Sequence, residues 1–415
     1  MRNYIVVGTC RNLLRQVLLG IHDFANCSDT AHIIVIGGKN TRILRWSSLC
    51  GRHVLSSFDP DDDFGFIATL NRIADHCPQT VVIPADCEGI RIINRVRPCL
   101  RPAIIPIPDA STLELFENKW RFHEFCTSNR LRVPDTLFIG AKADLDFAAV
   151  VHALGLPFVV KPSDRAGSEG VHIVHSEYYF KRHIAENDAY RFQSLIVQRY
   201  VRGTDLCFSF LALHGDVSAL AIQRRSGTEV RFMTHRVLEK LGLQLARAAS
   251  YHGVMNIDAR MEERTGKIYL IESNPRFWAS LGASVCCGLN FVAESIEAIE
   301  AAPCPHDRRS QRPRRLTEGR FQEAHPVLRP AAWIGLANDT SPRGRMFRAR
   351  MRDMSAVAEV IRALPSMLWK YTSRRMLPQQ RIRQQTHRHI LKEQLFSATR
   401  NQSAKQQADT GGKRD

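Results

Sequence analysis

The chain has 415 residues, 44% hydrophobic and 24% charged, with 24 Gly and 19 Pro, so collagen-like, low-complexity and wholly disordered readings are excluded. Its length suits two or three domains with a core that needs no disulfide staples. The net charge of +17 is uneven: residues 308–415 hold 24 Lys and Arg against 8 Asp and Glu, which leaves the body close to neutral.

Along the first 110 residues, apolar runs at 4–8 (YIVVG), 32–37 (HIIVIG) and 80–84 (TVVIP) read as buried strands. Helix-like stretches at 12–24 and 71–76 separate them, a pattern that predicts a small parallel α/β domain. A glycine ends the first strand without a G-x-G-x-x-G, so no dinucleotide site is expected there. Residues 111–129 read as one helix whose broad apolar face carries Leu113, Phe116, Trp120, His123 and Phe125. The run 157–162 (PFVVKP) is a strand that ends in a lysine.

From there the pattern turns largely antiparallel, with strands expected at 171–174, 195–198, 207–213, 217–222, 254–259 and 267–272. His214-Gly215-Asp216 and Arg264-Thr265-Gly266 are the turns between neighbouring runs. Beyond Pro303 the composition changes. Residues 308–315 (RRSQRPRR) form a linker-like basic run, 356–371 an amphipathic helix kinked at Pro365, and 379–415 a disordered or loosely helical end. The expected division is an α/β domain over 1–110, a composite α+β domain over 111–300 and a basic, helical or disordered extension over 301–415.

The most informative feature is a hairpin. Asp258 and Glu272 lie at equal distances on either side of Thr265, and in a symmetric hairpin they face each other with Cβ atoms about 5 Å apart. Alternation adds Arg260 beside Asp258 and Asn274 beside Glu272. Two carboxylates and an amide oxygen suit magnesium, which completes its shell with phosphates; a cross-strand salt-bridge network is the simpler alternative. The second feature is the loop after Lys161, in which Ala166, Gly167, Ser168 and Gly170 permit close approach of backbone N–H groups to phosphate oxygens. A plain flexible hairpin explains this segment equally well. Third, Gln198-Arg199-Tyr200-Val201 leads through a short connector to Asp205, which offers backbone groups to a base and a carboxylate to ribose hydroxyls.

Taken in order, these residues resemble the ATP-grasp superfamily over about 70% of the chain, from Tyr4 to Phe291. Ile271-Glu272-Ser273-Asn274-Pro275-Arg276 is most similar to the ending of its carbamoyl-phosphate-synthetase-like branch. The resemblance implies an ATP-grasp fold preceded by a parallel α/β domain. It also implies an ADP-forming ligase that activates a carboxylate as acyl-phosphate and joins it to an amine. The cofactors implied are ATP and one or two Mg2+ ions, with Mn2+ as the substitute.

By the same resemblance Lys119 contacts the nucleotide, Lys161 holds its α- and β-phosphates, and Gly167, Ser168 and Gly170 belong to the closing loop. Gln198, Val201 and Asp205 contact base and ribose, Asp258, Glu272 and Asn274 ligate magnesium, and Arg260 and Arg276 neutralise the transferred phosphate. Two other classes compete: an ATP-binding regulatory protein without turnover, and a kinase-like enzyme that phosphorylates a hydroxyl. Segment 223–236 (QRRSGTEVRFMTHR) departs from every subfamily pattern; Glu229 and His235 are its candidates for substrate contact, with structural roles the simpler reading.

The 11 cysteines show no C-x-x-C and no zinc spacing, which suits reduced, buried thiols in a cytoplasmic protein, and the pair Cys286-Cys287 reads as packing. No secretory signal or membrane span is expected. The basic tail suits a solvated extension, an anionic surface or a protein partner better than nucleic acid, for which it lacks a recognition motif. Homodimerisation is an expectation at the level of the family.

Overall fold

The amino-terminal apolar runs form the expected parallel layer. In the computed structural model, which describes residues 2–25, 32–300, 312–328 and 333–363, five parallel strands are ordered β3-β2-β1-β4-β5. They are β1 (Tyr4–Gly8), β2 (Ile33–Gly37), β3 (Arg52–Leu55), β4 (Val81–Pro84) and β5 (Ala103–Ile104). Helices α1 (Arg11–Phe24), α2 (Asp63–His76) and α3 (Cys87–Val96) connect or follow them. β1, β2 and β4 are buried along their whole length, which is why they read as unbroken apolar runs.

The strand order reverses at β1, the place where doubly wound sheets take up phosphates. Here the chain fills that place itself. The buried Asp86 carboxylate accepts hydrogen bonds from the backbone N–H groups of Thr9 (2.7 Å), Cys10 (2.6 Å) and Gly89 (2.9 Å). These three backbone donors are therefore taken up by the chain's own carboxylate.

The predicted helix over 111–129 is two helices, α4 (Ala110–Glu117) and α5 (Lys119–Ser128), broken at Asn118. Asn118 takes an extended backbone, and its side-chain oxygen caps α5 by accepting from the N–H groups of Trp120 (3.0 Å) and Arg121 (3.1 Å). The break matters because it sets Lys119 at the first position of α5.

A four-stranded antiparallel sheet follows, ordered β6-β9-β7-β8. Its strands are β6 (Thr136–Ile139), β7 (Phe158–Pro162), β8 (His172–Val174) and β9 (Leu195–Arg199), with α6 (Phe147–Leu154) and α7 (Glu177–Phe180) packed on it. It has a small core of its own, which includes Val150, Phe158, Val160, Phe180 and Leu195.

The third sheet has seven strands: β10 (Gly203–Leu213), β11 (Asp216–Ser226), β12 (Glu229–Met233), β13 (Gly253–Glu262), β14 (Ile268–Asn274), β15 (Arg314–Leu316) and β16 (Gly319–Gln322). Its order is β14-β13-β10-β11-β12-β16, with β15 paired to β11. One face packs Phe208, Phe210, Ile222 and Ile257 against α4, α5 and α8 (Arg236–Ala248). The opposite face, through Leu211, Ala221, Phe232 and Val254, shares a core with the parallel sheet, α9 (Leu281–Cys286) and α10 (Phe291–Glu300).

Part of the expected extension belongs to this body. β15 and β16 join the seven-stranded sheet, and the helix Pro342–Arg352 is tied to α1 by Arg345 and Asp23 (2.7 Å). Arg314 and Arg315 are thus strand residues, where the sequence reads as a linker; residues 308–311 lie outside the described ones. Residues Met1–Ser355 form one compact unit and Ala356–Asp415 a second, in which 356–363 are helical. Pro365 and the expected loose segment 379–415 lie outside the described residues.

Candidate active site

β10 and β13 run antiparallel and pair Asp205 with Arg260, Cys207 with Asp258, Ser209 with Asn256 and Leu211 with Val254. These rows share one face and grade from an exposed charged end to the apolar core. β14 completes the site from the other side: Asp258 faces Glu272 and Asn256 faces Asn274. A one-residue bulge at Ile271 separates this pairing from the register nearer the turn, where Ala259 faces Leu270 and Arg260 faces Tyr269.

Asp258 is half-buried in a polar network. Its Oδ1 accepts from the Cys207 thiol (3.2 Å) and the Asn256 amide (3.0 Å), and Ser209 Oγ donates to Asn256 Oδ1 (2.8 Å). Burial and the neighbouring Glu272 charge push its carboxyl up to about 6. The Asn274 amide reaches Asp258 Oδ2 at 3.4 Å, while its Oδ1 accepts from Arg276 (2.9 Å).

Two lysines converge on Glu272, Lys119 at 3.8 Å and Lys161 at 4.0 Å. Both are buried, Lys161 at the carboxyl end of β7 and Lys119 at the start of α5. The Lys119 N–H donates to Ser163 O (2.8 Å), and its ammonium donates to Arg165 O, which ties α5 to the root of the loop. Burial lowers the Lys161 ammonium to about 8, against the opposing pull of Glu272.

The loop from Asp164 to Glu169 is exposed, and Gly167, Ser168 and Gly170 all have positive φ (69°, 65° and 67°). A side chain at Gly170 would collide with the Phe192 ring, so glycine is required there by space as well as by φ. Tyr190 OH anchors this end of the loop by donating to Gly170 O (2.8 Å).

The structure thus gathers Lys119, Lys161, Asp258, Glu272, Asn274 and Arg276. Gln198 is buried on β9 with its amide donating to Thr136 Oγ1 (3.0 Å); Val201 is buried in the connector. Asp205 presents a carboxylate side chain that is 72% exposed. Arg260 stands apart from the carboxylate pair, with Asp205 (3.4 Å) and the Tyr200 ring as its partners. His235 caps α8 by accepting from the Leu238 N–H, and Glu229 accepts from Gln322; both are structural contacts. Cys286 is buried in α9 and Cys287 packs against Gly319.

Cys207, Asn256 and Gln223 were missed in the sequence. The signal was present: each is a buried or nearly buried polar residue at alternate spacing within an apolar strand, and Gln223 donates to Ser280 Oγ (2.8 Å) beside the site. Among the described residues no cluster of three or more His, Cys, Asp and Glu has the geometry of a metal site. The hard donors gathered here are two carboxylates and one amide.

A parallel α/β layer followed by two antiparallel sheets that bring lysines and acids together matches solved structures over most of the chain. The L-amino acid ligase of Bacillus licheniformis superimposes with a TM-score of 0.53 at 14% identity, covering 75% of this chain and 78% of that one. The ADP complex of N5-carboxyaminoimidazole synthetase from Staphylococcus aureus gives 0.54 at 11% identity, covering 77% and 80%. The biotin carboxylase domain of Hydrogenobacter thermophilus 2-oxoglutarate carboxylase, in complex with MgADP, ADP and bicarbonate, gives 0.52 at 16% identity, covering 72% and 70%. The family described as ATP-grasp in the biosynthetic pathway with Ter operon matches residues 191–319.

The chain has the ATP-grasp fold. The D-alanine–D-alanine ligase of Petrotoga mobilis (strain DSM 10674 / SJ95) is 33% identical over 66 residues, 16% of this chain and 22% of that ligase. The match therefore spans about a fifth of the curated relative. Within the ATP-grasp fold, the family match runs through the seven-stranded sheet and includes Asp258, Glu272, Asn274 and Arg276.

Proposed function

We propose that the chain is an ATP-dependent, ADP-forming ligase that activates a small-molecule carboxylate as an acyl-phosphate and joins it to an amine. The observation that carries this reading is the convergence of Lys119 and Lys161 on Glu272, opposite Asp258, in a chain that shares its fold with an L-amino acid ligase and matches a D-alanine–D-alanine ligase over 66 residues. Phosphoryl transfer needs pre-placed charge more than covalent help, and this cluster supplies it.

Lys119 and Lys161 hold the phosphates of ATP, Gln198 and Val201 the base, and Asp205 the ribose. Arg276 neutralises charge on the transferred phosphoryl group, a role supported by its contact with Asn274. The exposed loop with Gly167, Ser168 and Gly170 closes over the phosphates and keeps water from the acyl-phosphate. The donor set fits a divalent cation: two hard carboxylates face each other, and burial, then their mutual repulsion, raises Asp258. Asp258, Glu272 and, with its amide oxygen turned inward, Asn274 would hold one or two Mg2+ ions, or Mn2+ in their place. When bound, the ion neutralises phosphate charge and orients the phosphates.

No helix among the described residues is long and apolar enough to cross a membrane. Cytoplasmic residence and a homodimer belong to the same reading, and the basic tail suits an anionic surface or a protein partner. The domain division proposed is 1–110, 111–300 and a tail, with residues 312–355 returning to the body.

The test is to incubate the full chain with magnesium-ATP and pooled carboxylates and amines, beside a Glu272→Ala control. Substrate-dependent ADP and phosphate from the wild type, lowered at least about 100-fold in the control, is the expected result. AMP as the product overturns the acyl-phosphate route. A stable phosphoester formed without an amine replaces it with hydroxyl phosphorylation.

A further inference from the structure

Arg260 and Arg276 share a role by sequence resemblance, but the structure separates them. Arg276 donates to Asn274 Oδ1 and lies close enough to Asp258 to stabilise its charge. Arg260 is one row further out on β13, about 7 Å along the strand from Asp258 and towards the exposed end. Its register partner on β10 is Asp205.

The guanidinium of Arg260 reaches three groups, one in the connector between the four-stranded sheet and β10 and two in the first residues of β10. Nε lies 3.4 Å from Asp205 Oδ1, and Nη2 lies 3.4 Å from both Tyr200 OH and Gly203 O. The guanidinium carbon also sits 5.0 Å from the centre of the Tyr200 ring. All three polar contacts are at the long limit of hydrogen bonding, and Nε, although buried, lacks a well-aligned acceptor. A planar fork held between a carboxylate, a carbonyl and an aromatic face fixes the direction of each without being saturated by any. Asp205 engages Arg260 through one oxygen, while its side chain is 72% exposed towards solvent.

We propose that Arg260 is a nucleotide-positioning residue: it holds Tyr200 of the connector and the start of β10 together so that the Asp205 carboxylate meets the vicinal hydroxyls of a ribonucleotide, and it takes no part at the phosphate end. The inference rests on the nucleotide reading above. It makes selection of the ribose a joint property of Arg260 and Asp205. The phosphate end is left to Lys119, Lys161 and Arg276.

The experiment measures binding of ATP and of 2′,3′-dideoxy-ATP, each with magnesium, to the full chain by calorimetry. The variants are Arg260→Met, Arg260→Lys, Asp205→Asn and the double variant Arg260→Met/Asp205→Asn. Wild type is expected to prefer ATP by roughly tenfold, the worth of one hydrogen bond to a charged group. Arg260→Met and Asp205→Asn each reduce that preference to about twofold or less, and the double variant adds little, because the two act as one unit. Arg260→Lys keeps part of the preference, a rescue that a misfolded protein would not show. In Arg260→Met, KM for ATP is expected to rise by more than kcat falls.

A preference unchanged in Arg260→Met overturns the proposal, as does a fall in kcat with ATP affinity intact, which would return Arg260 to the phosphate end. ATP binding without any preference in the wild type also overturns it, and leaves the ligase reading standing. No binding of either nucleotide to wild type overturns the nucleotide reading itself.

Discussion

The four-stranded and seven-stranded sheets both present charged groups to the site, yet they are supported differently. The seven-stranded sheet is covered on both faces, by α4, α5 and α8 on one side and by the parallel layer with α9 and α10 on the other. The four-stranded sheet rests on a small core of its own and carries the exposed loop after Lys161. The proposed ion- and phosphate-binding groups, Asp258, Glu272, Asn274 and Arg276, sit on or directly after strands of the doubly covered sheet. The groups proposed to close on a ligand sit on the lightly covered one. Low local packing is what permits such a segment to open at small cost.

The largest test of this contrast is a pair of identical truncations. Phe208 and Phe158 are both fully buried, one in each sheet. Phe208→Ala should lower global stability by about 3–5 kcal/mol, the range for an emptied phenylalanine site. Phe158→Ala should instead release amide exchange mainly in residues 136–199, while the main unfolding transition moves far less. Equal losses in one common transition would show that the two sheets unfold as a single unit.

The contrast was only half legible in the sequence. Strand positions came through because β1, β2 and β4 are apolar throughout and the hairpin turns carry glycine. The facing of Asp258 and Glu272 was expected from a symmetric hairpin, but the molecule reaches it by another route: the bulge at Ile271 shifts the register by one residue between the turn and the pair. A bulge leaves no composition signal. Arg260 shares a face with Asp258 as alternation requires, but its role depends on which strand lies on the other side, and the Asp205 register of β10 is a long-range fact. The break at Asn118 was hidden because the apolar positions on either side fit one helical face. β15 and β16 were hidden by the charge of the arginine-rich segment that contains them.

A smaller effect separates the sheets by pH. On the seven-stranded sheet, His252 stacks on His214 at 4.2 Å, and its buried Nδ1 has no hydrogen-bond partner. Burial, then the neighbouring His214 and Arg97, lower its imidazole from 6.5 to about 4. A depressed folded value means that the stabilising contribution is complete above pH 6.5 and is lost as the pH falls towards 4. Discounted for partial exposure, the loss is about 1–2 kcal/mol. His325, lowered to about 4 by burial and Arg350, adds to the same window. His252→Asn should therefore remove part of the slope of stability between pH 6.5 and 4, read from urea midpoints across that range. An unchanged slope would place the acid sensitivity elsewhere, with His172 on the four-stranded sheet as the next group to examine.

The smallest effect is expected at Ser168. It holds φ at 65° in the exposed loop, a conformation that costs a residue with a Cβ about 1 kcal/mol. Ser168→Gly relieves that cost in the folded chain but gives the unfolded chain more freedom, worth about 0.5–1 kcal/mol in the opposite direction. The two terms nearly cancel, so the melting temperature should move by less than about 2 °C. Closure is another matter, because a glycine at this place widens the set of open loop conformations that a bound nucleotide must collect into one. Affinity for magnesium-ATP should then fall about two- to fivefold with stability unchanged, a separation that calorimetry and thermal melting read on the same sample. A shift in melting temperature well above that limit would mean that the loop is held by the body. The division between a fixed sheet and a closing one would then have to be redrawn.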